Sequence, residues 1–78
     1  MNTEKIVEYN ETKNRYSIIS EGLMKNPETR EWQKCVIYRQ YQELNDLGEY
    51  VDIQEDKKLT FVREKIDFLN KFTLCLNL

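Results

Sequence analysis

WQKCVIYRQY, residues 32–41, is the longest strand-like stretch of the chain. Because strand side chains alternate between two faces, Ile37 and Arg39 share one face while Val36 and Tyr38 lie on the other. The stretch is rich in residues that favour strands, and we place it at the centre of a sheet. Its arginine either covers a half-exposed face with its aliphatic stem or is held there to bind a ligand.

Shorter strand-like segments lie on both sides of this central strand. Polar turn residues separate them, at residues 10–14 and again around Pro27, where an Asn-Pro pair predicts the loop of a hairpin. Gly22 marks a place where the second strand is expected to bend or bulge. The other predicted strands cover residues 4–9, 15–24 and 59–63.

The apolar residues change their period after residue 63. Ile66, Leu69 and Phe72 recur every third residue, and Phe68 precedes Phe72 by four residues. This spacing predicts one short amphipathic helix over residues 64–72. We expect the stripe of Ile66, Leu69 and Phe72 to plug one end of a small barrel.

The end of the chain has the period of a strand, because Leu74, Leu76 and Leu78 alternate with small or polar residues. An apolar strand is unusual at a terminus. It either closes the sheet as a last strand or pairs with the same segment of a second copy, which would make the protein a homo-oligomer.

Residues 42–58 are strongly acidic. Six acidic side chains and two lysines give this segment a net charge of −4, within a chain whose net charge is −2. We interpret the segment as a solvated excursion within the domain, and both a helical turn at residues 43–47 and a brief strand at residues 50–53 are open. The acidic residues are Glu43, Asp46, Glu49, Asp52, Glu55 and Asp56.

The composition is that of one folded domain over residues 1–78, with 40% apolar residues, two glycines and one proline. The small negative charge argues against binding of a nucleic-acid polymer or an anionic membrane, because both need a basic surface. No segment approaches the roughly 20 apolar residues that span a bilayer, and no signal peptide is recognisable, so a cytoplasmic protein is expected. Cys35 and Cys75 are expected to stay reduced and to pack as small apolar residues.

Several short motifs occur in a characteristic order: Tyr16, the Glu28-Thr29 turn, the Tyr38-Arg39 pair, the Val62-Arg63 pair and Phe68. Over residues 16–72 this order resembles a family of short bacterial and phage proteins, known only as a domain of unknown function. The resemblance implies a mainly β fold, a small SH3-like β-barrel of about five strands with one short helix. It also implies a phage or mobile-element setting, with action in the host cytoplasm. The chain departs from the family at Glu64, where proline is usual, and in its longer acidic excursion.

The residues that most enzymes need are absent from the sequence. It contains no histidine, no glycine-rich phosphate loop and no Cys-x-x-Cys pair. We therefore expect a binding protein rather than an enzyme, with no metal and no cofactor.

Arginine and aromatic residues are the candidates for a binding site. A guanidinium donates well to phosphate or carboxylate, and aromatic faces stack with bases, so the combination suits a nucleotide-type anion. The candidate ligand-binding residues are Arg39, Arg63, Tyr38, Tyr41, Trp32 and Tyr16.

Each candidate also has a purely structural interpretation. Arg39 then lies along the surface or pairs with an acid such as Glu31 or Glu43, and Arg63 pairs with Asp67, four residues further on. The aromatic residues are then core or rim residues of a small barrel.

Two functions are open at this point. In the first, the protein is a phage counter-defence protein that sequesters a nucleotide-type anionic ligand in a pocket between copies. In the second, it is an interaction module that docks a host or phage protein through an aromatic rim or through the acidic excursion. The partner is accordingly a small anionic ligand or a host protein.

Overall fold

A computed structural model describes residues 5–77 of the chain. These residues form six strands, one α-helix and a short 3₁₀ turn, and the predicted mainly β fold is confirmed. The strands are β1 (Lys5–Tyr9), β2 (Arg15–Lys25), β3 (Trp32–Leu44), β4 (Tyr50–Asp52), β5 (Thr60–Glu64) and β6 (Phe72–Asn77); the helix is α1 (Lys65–Lys71) and the 3₁₀ turn is Glu55–Lys57.

The strands form one antiparallel sheet around β3. Its order is β4-β3-β2-β1-β6, and β5 pairs with β3 as well. One edge of β3 pairs with β2, while its other edge pairs with β5 at residues 35–39 and with β4 at residues 42–44. The predicted central position of this strand is therefore confirmed. Among residues 5–77, β5 and β6 do not pair with each other, so the sheet is open between them.

Helix α1 connects β5 and β6, which do not pair with each other, and confirms the helix predicted over residues 64–72. Glu64 caps it, because its carboxylate accepts hydrogen bonds from the backbone N–H groups of Ile66 at 2.8 Å and Asp67 at 3.1 Å. The backbone of Glu64 has a φ of −59°, a value that proline also adopts. Glu64 therefore has a backbone conformation open to proline, and its side chain adds a cap.

The buried face of α1 differs from the predicted stripe. Phe68 and Phe72 are buried, and their rings stack with centroids 4.2 Å apart. Ile66 and Leu69 are 68% and 64% exposed, so the prediction that they plug a barrel end is wrong. A helix of seven residues buries only a narrow face, and the large aromatic pair at four-residue spacing occupies it.

The hydrophobic core lies on one face of the sheet, under α1. Its buried residues are Val7, Val36, Tyr38, Phe68 and Phe72, and Tyr9, Tyr16, Ile18 and Phe61 pack against them. Val36 and Tyr38 share this face, as their alternation in β3 predicts. A buried apolar side chain contributes roughly 1.5–3 kcal/mol, so a core of this size makes a domain of modest stability.

A β-bulge in β2 lies earlier than predicted. The register with β3 shifts between Ile18 and Ser20, which leaves Ile19 as the extra residue. Gly22 pairs regularly with Cys35, so the prediction of a bulge at Gly22 is wrong. The shift reverses the alternation of side chains after Ile19. It therefore turns Glu21 toward the core face, where Glu21 pairs with Lys65 of α1.

The acidic segment is a hairpin and not a free loop. The β3 strand continues to Leu44, and β4 pairs with it, so the brief strand predicted at residues 50–53 is confirmed and the helical turn at residues 43–47 is wrong. The Tyr50 hydroxyl donates to Glu8 at 2.9 Å, and the guanidinium carbon of Arg15 lies 3.7 Å from the centre of the Tyr50 ring. These contacts connect the hairpin to β1 through Glu8 and to β2 through Arg15.

The last strand pairs within its own chain. β6 is antiparallel to β1, from Tyr9 opposite Phe72 to Lys5 opposite Asn77. This pairing supports the prediction of a last strand in the same sheet, and Leu78 lies outside the described residues. Cys75 is exposed, contrary to the expectation that it packs, whereas Cys35 is buried.

The molecule is elongated. Its radius of gyration is 13.6 Å, whereas a compact chain of this length has about 11–12 Å. The long β2–β3 hairpin and the β3–β4 hairpin extend in opposite directions along β3, which accounts for an overall length of 44 Å. In the part of the chain that the structure describes, no helix is long and apolar enough to cross a membrane.

Candidate functional site

Five aromatic rings and one guanidinium surround an open cavity of about 150 Å³. Residues from β5 and from the start of β6 meet across it, at the place where these strands do not pair. We call the set the aromatic cup; it consists of Tyr9, Tyr16, Tyr38, Phe61, Arg63 and Phe72.

Tyr38 forms the floor of the cup. It is 4% exposed, and the centres of the surrounding rings lie between 5.1 and 5.6 Å from its own. The Tyr16 and Phe72 rings meet it edge to face, and the Phe61 ring stacks on it. Such contacts add to the free energy of burial and fix the orientation of each ring. The floor is therefore rigid and part of the core.

Arg63 lies at the wall of the cup because of its register in the sheet. It stands opposite Val36 in the β3–β5 pair, and residues directly opposite in an antiparallel pair share a face. Its Nε donates to the Tyr38 hydroxyl at 3.2 Å, and its Nη1 donates to Asp67 at 2.8 Å. Asp67 is also the partner that the four-residue spacing predicts, so that ion pair is confirmed.

The guanidinium of Arg63 also lies beside two rings of the cup. Its central carbon is 5.7 Å from the centre of the Tyr9 ring and 5.5 Å from the centre of the Phe72 ring. Both distances are within the range of a cation–π attraction. Four contacts thus hold one half-buried cation at the edge of an aromatic cavity.

The charge at this edge of the cup is positive. Asp67 pairs with Arg63 and also with Lys71, whose ammonium nitrogen is 3.0 Å from the carboxylate, so two cations share one anion. Hydrogen bonds from Arg63 and Lys71 lower the pKa of Asp67 and keep it ionised. The hydrogen bond to Tyr38, with that to Asp67, raises the pKa of Arg63, although burial opposes this.

Part of the hydrogen-bonding capacity of Arg63 is uncommitted. A guanidinium carries five N–H donors, and within residues 5–75 those of Arg63 make the two side-chain hydrogen bonds described above. Burial and the neighbouring Tyr38 raise the pKa of Tyr16, so its hydroxyl stays neutral. The cup therefore offers apolar faces together with charged N–H donors, which suits an apolar group that carries an anion.

The structure brings together three of the six residues predicted for the site. Tyr16, Tyr38 and Arg63 belong to the cup, whereas Arg39 lies on the opposite face of β3. Arg39 donates to the Glu55 side chain and, at 3.0 Å, to the Glu55 carbonyl oxygen. The two arginines do not converge on one anion, because their positions in the paired strands put them on different faces. Arg39 pairs with an acid, as its structural interpretation predicts, but the acid is Glu55 and not Glu31 or Glu43.

The remaining two predicted residues lie away from the cup. Tyr41 is half-buried and has the ammonium of Lys58 at 5.8 Å from its ring centre. Trp32 is 65% exposed at the start of β3, with the ammonium of Lys25 at 5.9 Å. Tyr41 lies near Arg39, because Lys58 contacts both the Tyr41 ring and Glu55, the partner of Arg39. Trp32 lies at the first residue of the long strand β3, far along it from the cup.

The residues of the cup that are missing from the predicted site are Tyr9, Phe61 and Phe72. Tyr9 alternates with Val7 in β1, a pattern that already assigned both to one face. The three-residue period predicts that Phe72 belongs to a helical stripe, although its four-residue spacing from Phe68 indicates a core position. No sequence pattern predicts that β1 and β6 lie close to β5, because β5 and β6 do not pair with each other.

Other chemistry is limited in the part of the chain that the structure describes. Residues 5–77 contain no group of three or more Cys, Asp or Glu side chains that could hold a metal ion. Cys35 and Cys75 are both free thiols. Comparison with family models, with curated proteins and with solved structures found no match.

Proposed function

We propose that this protein is a non-catalytic interaction module that takes one side chain of a partner protein into the aromatic cup. The observation that carries the proposal is Arg63, a cation held at the edge of five aromatic rings with N–H donors to spare. A phage or mobile-element accessory role follows from the resemblance in the sequence, and the partner is then a host or phage protein.

We further propose that the fold is an SH3-like barrel. Five strands in the order β6-β1-β2-β3-β5 support this, with the short helix α1 inserted between the last two. Phe68 and Phe72 fill the gap between β5 and β6 with side chains in place of backbone hydrogen bonds. The acidic hairpin is then an insertion between the third and fourth strands of the barrel.

The size of the cup favours a side chain over a whole small molecule. Small-molecule sites usually measure about 300–1,000 Å³, and the cup holds about 150 Å³. One aromatic or large aliphatic side chain fits this space. Interfaces between proteins commonly depend on such single anchors in rigid pockets, and the packed floor at Tyr38 provides the rigidity.

The positive charge at the edge of the cup favours a partner side chain that lies next to a carboxylate of the partner. Arg63 and Lys71 together exceed the charge of Asp67 by one, and charge-assisted hydrogen bonds from a guanidinium are the strongest that a side chain offers. We propose an anchor that is a C-terminal aromatic residue, or an aromatic residue next to an acid.

A second candidate function is sequestration of a nucleotide-type anion, in a counter-defence role. The same observation favours it, since a guanidinium next to aromatic faces serves phosphate pairing and base stacking. Because the cup is smaller than a nucleotide, this function needs a pocket completed by a second copy, so it ranks below the first.

Titration of the ¹⁵N-labelled protein with N-acetylphenylalanine and with AMP separates the two functions. If the protein is an interaction module, N-acetylphenylalanine at millimolar concentration should shift backbone resonances around Arg63 and Phe72 without changing the molecular mass of the protein. Sequestration predicts that AMP binds more tightly than the amino acid and raises the molecular mass. If neither probe shifts these resonances, both proposals for the cup are wrong.

A further inference from the structure

The turn between β3 and β4 displays one leucine between acids. Leu47 is 82% exposed at its apex, with Asp46 before it and Glu49 shortly after. Asn45 fixes the turn, because its side-chain oxygen accepts hydrogen bonds from the N–H groups of Leu47 and Glu49, each at 2.9 Å. Gly48 has a φ of +77°, which glycine adopts without strain. We call residues 46–49 the acidic tip, an apolar knob on an ordered turn.

An apolar groove bordered by lysines lies near the other end of the sheet. A cavity of about 240 Å³ opens between α1 and the core face of the strands, lined by Ile18, Val36, Phe68 and Leu69 together with Lys5, Glu21 and Lys65. An adjoining cavity of about 250 Å³ shares Glu21 and Lys65 and adds Lys34 and Leu23. We call the two cavities together the lysine groove.

The lysine groove has an excess of positive charge. Three lysines border it against one glutamate, a net charge of +2. The bulge at Ile19 turns Glu21 toward this face, where it pairs with Lys65 at 2.5 Å. That hydrogen bond and the nearby charges of Lys34 and Lys5 lower the pKa of Glu21, in keeping with a surrounding of cations.

The acidic tip is complementary to the lysine groove but cannot reach it in the same chain. β3 contributes Val36 to the groove and continues to Leu44 at the base of the tip. Eight residues of strand separate the two, or about 26 Å at the usual rise. The tip lies beyond Leu44 and the groove lies under α1, so an acidic tip meets a lysine groove only on another molecule.

We infer that the acidic tip of one copy docks into the lysine groove of a second copy. Leu47 enters the apolar floor between Ile18 and Phe68, and Asp46 and Glu49 face the bordering lysines. Because the two surfaces differ, one copy of such a pair keeps its groove free and the other keeps its tip free, so association continues head to tail toward a ring or an open chain. This contact is separate from the aromatic cup and does not depend on the function proposed for it.

Sedimentation equilibrium across a range of concentrations tests the inference with two charge-reversed variants. The tip variant carries Asp46→Lys and Glu49→Lys, and the groove variant carries Lys5→Glu and Lys34→Glu, which leaves the pair of Glu21 and Lys65 intact. The weight-average mass of the wild-type protein is expected to reach about twice the monomer mass at about 1 mM, where a contact with a Kd of about 1 mM is roughly two-fifths occupied. Each variant alone is expected to stay monomeric.

An equimolar mixture of the two variants should recover the association, because each reversed tip then meets a reversed groove and each native tip a native groove. This recovery also shows that both variants are folded. Leu47→Ser should abolish association, whereas Leu59→Ser, at a leucine that is also exposed but lies outside both surfaces, should not. A wild-type protein that remains monomeric at about 1 mM, or variants whose mixture stays monomeric, would overturn the inference.

Discussion

The hydroxyl oxygen of Tyr38 lies 3.2 Å from Nε of Arg63, and this hydrogen bond connects the buried core to the wall of the aromatic cup. Tyr38 is fixed by four neighbouring rings, so it presents its oxygen in one position. The hydrogen bond therefore orients Arg63 in the free protein. Preorganisation of this kind reduces the entropy lost on binding.

Removal of the Tyr38 hydroxyl should weaken the fold slightly and loosen Arg63. For Tyr38→Phe we expect a loss of about 1 kcal/mol in the free energy of unfolding, measured by urea denaturation, because the ring packing stays and one hydrogen bond is lost. Tyr41→Phe is the matched control, since the Tyr41 hydroxyl makes no hydrogen bond within residues 5–75. Equal losses in the two variants would show that the contact with Arg63 contributes nothing.

The face of α1 that is buried can be tested by truncation. Phe68→Ala should destabilise the protein by roughly 3–5 kcal/mol, which leaves a domain of this size largely unfolded at 25 °C. Leu69→Ala, next to it but 64% exposed, should cost less than about 1 kcal/mol. Thermal unfolding followed by circular dichroism distinguishes them. If Leu69→Ala were the more damaging variant, the helix would be rotated from the orientation described.

The two glycines should respond in opposite ways to alanine. Gly48 has a φ of +77°, so Gly48→Ala should cost about 1 kcal/mol or slightly more. A Cβ at Gly22 would lie 3.6 Å from Sγ of Cys35, an ordinary contact, so Gly22→Ala should stabilise the strand by about 0.5 kcal/mol. Urea midpoints of the two variants check this. A destabilised Gly22→Ala would place the irregularity of β2 at residue 22 after all.

Asp67 should make stability depend on acidic pH. Its pKa is lowered in the folded protein by Arg63 and Lys71, so the unfolded chain binds a proton at a higher pH than the folded one. The contribution of the Asp67 charge to the free energy of unfolding is therefore complete above the pKa of the unfolded chain, about 3.9. It disappears as the pH falls through the lower pKa of the folded protein. The difference in unfolding free energy between wild type and Asp67→Asn should be constant near neutral pH and shrink below about pH 4.

Glu28→Gln is the control for this pH series, because Glu28 makes no ion pair within residues 5–75. Its difference from wild type should be small throughout. A difference for Asp67→Asn that persists unchanged to the lowest pH would mean that the carboxylate stabilises the protein by something other than its charge.

Local sequence patterns predicted most of the strands and the helix. Alternation placed Val36 and Tyr38 on the core side of β3, and the change of period after Arg63 located α1. These properties depend on neighbours in the chain. The orientation of α1 was mispredicted because Ile66 and Leu69 have the apolarity of core residues, and only the position of the sheet decides which side of so short a helix is buried.

The site was less predictable because it depends on contacts between distant segments. The aromatic cup joins residues from five strands, and a single sequence carries no record of which strands are neighbours. Arg39 and Arg63 have equivalent sequence surroundings but opposite faces, and the register between β3 and β5 decides this. Likewise, the partner of Arg39 is Glu55 and not Glu31 or Glu43, because the 3₁₀ turn returns over that face.

The proposal that the aromatic cup binds an aromatic anchor next to a carboxylate is tested most directly by two Kd values. N-Acetylphenylalanine has about 15 non-hydrogen atoms, and at about 0.3 kcal/mol for each it should bind with a Kd near 1 mM or somewhat below. Its amide, which has the same ring and no charge, should bind about tenfold more weakly, since one charge-assisted hydrogen bond contributes roughly 1.5 kcal/mol.

Both values are measured by NMR titration of the wild-type protein and of Arg63→Gln, with Val62→Thr as a control on the opposite face. We expect a ratio of about ten for wild type and for Val62→Thr, and a ratio near one for Arg63→Gln. Equal binding of the acid and the amide to wild-type protein, or a preference for the acid that survives in Arg63→Gln, would contradict the proposed anchor.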